Sequence, residues 1–283
     1  MNVSSLRMYK AAALLGLAPW LFTVPADAQI INAGLKAGFN YSWTTSDNYD
    51  FRKNYDIAPV TGVNAGGVLA FQLKQRYYLH TELLYATKGR RVTGEEGLKE
   101  KVTYNYIELP LMYQVHFKGH MGAKGMKQFK WYLEFGPNFS YWLGGKGTIT
   151  HLEVTELDAS EINYQLYFGQ RTEDRIGNAN DVFISDARRI QVGVNIGGGV
   201  MLEPADNRKI MIDLRFELGH SWLGGEESAD YLVPASYSTN LQSRNMGLRL
   251  SAMYLLQTNT DKKVRNKGKS TIKKKGGQLQ RRR

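Results

Sequence analysis

Residues 107–117 read Ile107-Glu108-Leu109-Pro110-Leu111-Met112-Tyr113-Gln114-Val115-His116-Phe117. Every odd position is apolar or aromatic, and Glu108, Gln114 and His116 stand among the even ones. Apolar residues recurring every second position mark a strand with one dry and one wet face. Leu111 then turns to the dry side and Gln114 to the wet side. The run has the roughly 9–11 residues that a tilted strand needs to cross a bilayer. Strands of soluble sandwiches average nearer ~5–6.

The same alternation recurs on both sides of this stretch. Upstream, the dry faces carry Leu35, Ala37, Phe39 and Tyr41; then Val63, Ala65, Leu69, Phe71 and Leu73; then Leu79, Leu83 and Tyr85. Downstream they carry Trp131, Leu133, Phe135, Phe139, Tyr141 and Leu143; Ile190, Val192, Val194, Ile196, Val200 and Leu202; Ile210, Ile212, Leu214, Phe216 and Leu218; and Met246, Leu248, Leu250, Ala252, Tyr254 and Leu256. The opposite faces hold charge, amide and glycine, with Lys146 assigned to the wet face of the fifth segment and Glu203 to that of the sixth. Connections after the second, fourth and sixth segments are short or moderate; those after the first, third, fifth and seventh are longer. A soluble sandwich or lipocalin-like barrel also alternates, but long strands with short turns on one side and long loops on the other predict an all-β, transmembrane antiparallel β-barrel. Eight strands run up and down. Ten is the alternative, if 149–157 and 162–168 add a hairpin; Glu153, Glu156, Asp158 and Glu161 favour placing that hairpin outside the membrane. Trp43, Tyr141, Trp142 and Trp222 near one end, and Tyr77, Tyr78, Phe117, Phe129, Trp131 and Tyr254 near the other, predict two aromatic girdles. Pro110 and Pro137 lie inside strands and predict a bulge at each.

Composition narrows the function classes. No apolar run beyond the N-terminus approaches the ~20 residues of a spanning helix. The absence of Cys excludes a disulfide scaffold and thiolate chemistry. The net charge of +11 is misleading until located. Residues 258–283 hold eleven Lys/Arg and one acid, and residues 1–28 hold Arg7, Lys10 and Asp27. That leaves 24 bases and 24 acids in 29–257, a neutral body that offers no nucleic-acid surface. Arg7 and Lys10, the apolar run 11–22 and Ala26-Asp27-Ala28 have the form of an export signal cleaved after Ala28. The expected organisation is a signal peptide (1–28), an outer-membrane barrel (29–257) and a basic disordered periplasmic tail (258–283).

GLKAGFNYS (34–42), ELLYATKG (82–89), YNYIELPLMYQV (104–115) and FGPNFSYWLGGKG (135–147) resemble the PorT-type "porin family" of outer-membrane β-barrels typical of Bacteroidota. The Glu82-Leu83-x-Tyr85 run, the Ile107-Glu108-x-Pro110 run and the Gly136-Pro137 pair are its most specific parts. The resemblance implies one barrel domain in a Gram-negative outer membrane. It implies no particular activity; one branch of the family takes part in type IX secretion. The basic tail departs from the pattern, in which the chain ends near the last strand.

Candidate chemistry is thin. A lipid hydrolase of this architecture needs a Ser, a His and an acid. The best set is His220, Ser221 and Glu226, but adjacent residues on a strand point to opposite faces. His80 and His116 read as polar lumen packing, and His120 and His151 complete no ligand spacing, so no metal, cofactor or catalytic residue is assigned. The strings Gly145-Lys146-Gly147-Thr148 and Gly268-Lys269-Ser270 fail as phosphate loops. Gly197-Gly198-Gly199 relieves crowding in a narrow barrel. The informative set is the inward charges: Lys36, Glu82, Lys88, Glu108, Glu134, Asp213, Arg215, Glu217 and Arg249. Eight strands enclose room for side chains only, and isolated buried charge is costly, so a mutually paired plug is expected. The expected protein is a monomeric, non-enzymatic barrel with a structural, binding or envelope-assembly role. Its expected partners are outer-membrane lipid and lipopolysaccharide, and an anionic periplasmic partner for the tail. A small-solute channel or secretion-accessory barrel is the alternative, and a lipid hydrolase the third reading. The acid-rich stretches 147–185 and 223–241 read as solvated outer loops.

Overall fold

The computed structural model describes residues 31–119, 129–152, 161–170, 180–205, 207–225, 229–230, 237 and 241–258. The expected export signal and basic tail lie outside the described residues, apart from Thr258. In chain order the elements are β1 (Ile31–Ser46), α1 (Tyr49–Asn54), β2 (Asp56–Ala58), β3 (Val60–Lys74), β4 (Tyr77–Thr93), β5 (Lys99–Gly119), β6 (Phe129–Thr150), β7 (Ile162–Phe168), β8 (Val182–Ile184), β9 (Ile190–Ala205), β10 (Arg208–Gly219), β11 (Ala229–Asp230) and β12 (Ser243–Thr258). Strands β1, β3, β4, β5, β6, β9, β10 and β12 pair antiparallel in that order, and β12 pairs with β1. The ring is therefore closed, and no backbone edge is left facing an apolar environment.

The ring has eight strands. The segment that could have made ten forms β7, which pairs only with the far end of β6, from Gly145 to Ile149, and then parallel to β8. It is a sheet extension at the long-loop end. Several ring strands also exceed the expected span, reaching 21 residues in β5 and 22 in β6. The connection after the third segment is mostly strand, because β4 runs to Thr93 and β5 starts at Lys99. Only 94–98 turns, with Glu96 and Gly97 at positive φ.

The expected bulges at the prolines are absent. Pro110 lies opposite Asn138 and Tyr113 opposite Phe135, one unbroken register. Antiparallel alternation splits the two missing donors. That of Pro137 is lost from the β5–β6 ladder, between Pro110–Asn138 and Tyr113–Phe135, and that of Pro110 from the β4–β5 ladder, between Thr81–Leu111 and Leu84–Glu108. Each ladder is interrupted there without being shifted. The bulge lies further up, where Asn105 and Tyr106 face Gly144 and Trp142 and leave Leu143 as the extra residue. Gly144 has φ +149, a backbone glycine adopts without strain, and the Trp142 indole donates to its carbonyl at 2.9 Å. One extra residue exchanges the faces beyond it. Lys146 is therefore exposed on the outside, contrary to the simple alternation, while Gly147 and Ile149 turn inward. Glu203, also expected on the wet face, is exposed and binds Lys130 at 2.9 Å.

Outside, Leu35, Phe39, Leu83, Leu133, Phe135, Ile196, Leu214 and Leu250 are each more than half exposed. Such a continuous apolar surface suits hydrocarbon rather than water. Tyr85, Ile107 and Tyr141 form a cross-strand row at its upper margin. Phe117 stacked on Trp131 with centroids 4.2 Å apart, Tyr77 stacked on Tyr113, and Tyr254 lie toward the short-turn end. Two expected girdle residues are not there. Trp142 and Tyr78 occupy even positions of β6 and β4 and are buried inside, against Tyr104 and His116 respectively.

Candidate functional site

The strand register places Lys36, Glu82, Lys88, Glu108, Glu134, Asp213, Arg215, Glu217 and Arg249 all inside the ring, none more than 8% exposed. They divide into two clusters. In the one nearer the short-turn end, Arg215 is the hub. Its Nη1 and Nη2 donate to the two Glu82 oxygens at 2.9 and 2.6 Å. Its Nε reaches Glu134 Oε1 at 2.5 Å and lies 2.8 Å from Asp213 Oδ2. Lys36 Nζ donates to Asp213 at 2.8 Å and lies 3.2 Å from Glu82 Oε2. Gln114 donates to Glu134 at 2.7 Å and touches His80 at 3.2 Å, and His116 contacts Gln114 at 3.0 Å. Three carboxylates thus share two cations and one amide.

The second cluster lies nearer the long-loop end. Lys88 pairs with both Glu108 and Glu217. Arg249 Nη2 donates to Glu108 at 2.6 Å and to Glu217 at 3.3 Å, while its Nε donates to Asn40 at 3.0 Å. Asn64 donates to the same Asn40 oxygen at 2.8 Å. The Lys88 ammonium stands 5.3 Å from the Tyr106 ring centre.

Small residues make room for these long side chains. A Cβ on Gly197 would fall 3.0 Å from Arg215 Cγ, and one on Gly199 would fall 2.6 Å from the Tyr132 hydroxyl. This is the crowding relief expected of the triple-glycine run. Apolar side chains bracket the charges inside the ring. Tyr132, Met201, Met211, Met253 and Leu255 pack toward the short-turn end. Trp142, Tyr104, Tyr106, Leu223, Tyr237 and Leu241 pack toward the other.

A third polar group at the long-loop mouth was not among the sequence candidates. Buried Arg90 donates to Thr44 at 3.2 Å and lies 3.9 Å from Glu100. Glu100 accepts from Tyr164 at 2.7 Å and Tyr237 at 2.9 Å. Burial, and after it the adjacent Glu100 carboxylate, raises the Tyr164 hydroxyl well above the usual phenol range, so it remains a donor. Extending the alternation of β4 past Gly89, and that of β5 back past Tyr104, would have found Arg90 and Glu100.

The other candidates do not assemble. His220 is exposed, Ser221 Oγ accepts from the Val192 amide at 3.0 Å, and Glu226 lies outside the described residues. The string 145–148 is paired strand rather than loop. His151 meets Glu96 at 3.3 Å. His120, the string 268–270 and most of the acid-rich outer stretches lie outside the described residues.

A family model described as "Outer membrane protein beta-barrel domain" matches residues 27–220, more than half of the chain, ending at the top of β10. No curated protein sequence matches the chain. Among solved structures, it is similar to OprG from Pseudomonas aeruginosa, with 11% identity, coverage of 82% of this chain and 95% of that one, and a TM-score of 0.39. Neisserial surface protein A gives 10% identity, 80% and 97% coverage, and a TM-score of 0.33. The attachment invasion locus protein Ail of Yersinia pestis gives 12% identity, 80% and 98% coverage, and a TM-score of 0.32.

Proposed function

This chain belongs to the outer membrane protein beta-barrel domain family, and from that premise we propose that it is a closed, non-enzymatic, monomeric barrel with a structural, binding or envelope-assembly role. The observation that carries the reading is the interior: ion pairs join opposite walls, from Lys36 on β1 to Asp213 on β10 and from Arg215 on β10 to Glu82 on β4. Apolar layers lie on both sides of them. An ion crossing this lumen must break several charge-assisted hydrogen bonds in a space already filled by side chains. Reconstituted in planar bilayers, the protein should show no large, steady conductance. A stable open level of that kind would reject the closed lumen in favour of a small-solute channel.

The finer placement is a PorT-type member from a Bacteroidota envelope, supported by Glu82-Leu83-x-Tyr85, Ile107-Glu108-x-Pro110 and Gly136-Pro137, all on ring strands. An export signal cleaved after Ala28 puts the start of β1 in the periplasm and the long-loop end outside. N-terminal sequencing of the mature protein checks the cleavage. An even number of ring strands returns the chain to the periplasm, where eleven basic residues in 258–283 would attract anionic cell-wall polymer or an acidic protein through a salt-screened interaction. Removing 259–283 takes away no ring residue, so folding into vesicles should match wild type while association with anionic cell-wall material weakens at low salt. Protease added to intact cells should leave the tail uncut; cleavage there would invert the topology.

A further inference from the structure

We propose that the outer wall of the long-loop extension holds a binding site for the phosphate groups of a glycolipid in the surrounding leaflet, formed by Arg91, Lys101 and Lys146 with Thr103, Thr148 and Gln165. The bulge at Leu143 creates it. By bringing Lys146 to the outside, the bulge places it on the same face as Lys101 and Arg91. Across β4, β5, β6 and β7 one row reads Arg91, Lys101, Thr148, Asn163, and the next reads Gly89, Thr103, Lys146, Gln165. Lys99, also exposed, lies one row further up, opposite Thr93.

Three features point to an anion. First, Arg91 is directly opposite Lys101, and like charges facing each other across a ladder repel. Second, none of these four cations has an ion-pair partner among the described residues, whereas each of the nine charges predicted to face the lumen is paired. The described acids beside the patch are Asp56, exposed on β2 opposite Thr93 and diagonal to Arg91, Asp181, buried and accepting from the Gln165 amide, and Glu161 at the start of β7; none of them forms an ion pair with these cations. Third, the strands leave a recess of about 430 Å³ over Lys101, Lys146, Thr103, Thr148, Asn163 and Gln165, which supplies hydroxyl and amide donors around the ammonium groups; the one carboxylate among the described residues that line it, Asp181, is buried and accepts from the Gln165 backbone amide.

Position selects the source of the anion. The patch is on the wall that continues the apolar belt, beyond the Tyr85, Ile107 and Tyr141 row. Gly89 and Thr103 stand four residues past Tyr85 and Ile107, about 13 Å along a strand at ~3.3 Å per residue. With the strands tilted by ~35–45°, that is about 10 Å further from the membrane centre than the girdle, with the Arg91–Lys101 row about 5 Å beyond it, on the outer side of the interface where the phosphorylated sugars of a glycolipid project. A phosphorylated lipid can seat its acyl chains on Leu143 and Ile107 while its phosphates reach the basic rows. The inference rests on the proposed orientation, with the long-loop end outward. It does not depend on whether the lumen conducts, so a failure in conductance and a failure in lipid binding are separate results.

The test is lipid occupancy by native mass spectrometry of the full-length protein in detergent micelles. Bis-phosphorylated lipid A and the same lipid without phosphates are the probes. Wild type should prefer the phosphorylated form. The triple variant Arg91→Ala, Lys101→Ala, Lys146→Ala should bind it at least about tenfold more weakly at low salt. The charge-keeping variant Arg91→Lys, Lys101→Arg, Lys146→Arg should retain binding, as should Arg52→Ala, Lys53→Ala on α1, which removes exposed charge elsewhere. Equal binding by wild type and the alanine variant, or no preference for the phosphorylated lipid, would overturn the site. Displacement of bound lipid by an equal concentration of inorganic phosphate would overturn its assignment to a lipid.

Discussion

Arg215→Met is expected to cost about 3–5 kcal/mol of barrel stability, the range for removing one partner of a buried ion pair. Arg215 holds Glu82 with two hydrogen bonds and Glu134 with two more, and it lies 2.8 Å from Asp213. Without it, three carboxylates are left with Lys36 and the Gln114 amide. The measurement is urea unfolding of protein folded into short-chain phosphatidylcholine vesicles. A second variant separates loss of charge from loss of packing: adding Glu134→Gln to Arg215→Met removes one unpartnered carboxylate and should recover part of the deficit. The two sites share a hydrogen bond, so their effects should not add. A single variant within about 0.5 kcal/mol of wild type, or a double variant worse than the sum of the two singles, would reject the view that the cluster is held by charge pairing.

That all nine of these charges point inward was legible because a period of two needs no knowledge of neighbours. Which pairs they form was not, because pairing depends on the stagger between strands. Arg215 and Arg249 show this. They lie directly opposite each other on β10 and β12, an arrangement that alone suggests repulsion. The side chains instead diverge, Arg215 to Glu82 and Glu134, Arg249 to Glu108 and Glu217. Gly197, opposite Arg215 on β9, leaves the space into which the guanidinium turns. No one-dimensional pattern carries that information.

The misreadings have local causes. Alternation carried through Leu143 puts Lys146 inside, but one unpaired residue there reverses the faces. Distance from the strand ends suggests girdle positions for Trp142 and Tyr78, although their even positions put them on the wet face. Arg90 and Glu100 were missed because β4 and β5 were ended where a membrane crossing would end, yet the hairpin continues well past that point. For Trp142, Tyr78, Arg90 and Glu100 the residue's phase on its strand is a better guide than its distance from the strand's end; for Lys146 the phase itself changes at the bulge. The charge-rich interior also accounts for an apolar content of only 42% in a membrane protein: the dry face is outside, and half of every strand is free to be polar.

The outward face gives the second large effect. Leu250 is 53% exposed on β12, midway between the Met246 row, which pairs with Trp43, and Tyr254. It stands at the middle of the apolar belt, flanked by Phe39 and Leu214. Leu250→Arg should destabilise the barrel by about 2–4 kcal/mol, the cost of a cation at the bilayer midplane. Leu256, on the same strand and face but near the short-turn end, should tolerate Arg at about 0–1 kcal/mol, because the side chain reaches the interface. The two substitutions share a strand and a face; Arg208 opposite Leu256 adds a like-charge repulsion that works against the tolerance expected there, so a smaller cost at Leu256 still reports depth. Unfolding titrations in vesicles measure both. In detergent micelles, which deform around a charge, the gap should narrow. Equal costs in vesicles would show that the belt does not sit in hydrocarbon as drawn, with the Trp43 row and Tyr254 at its two margins.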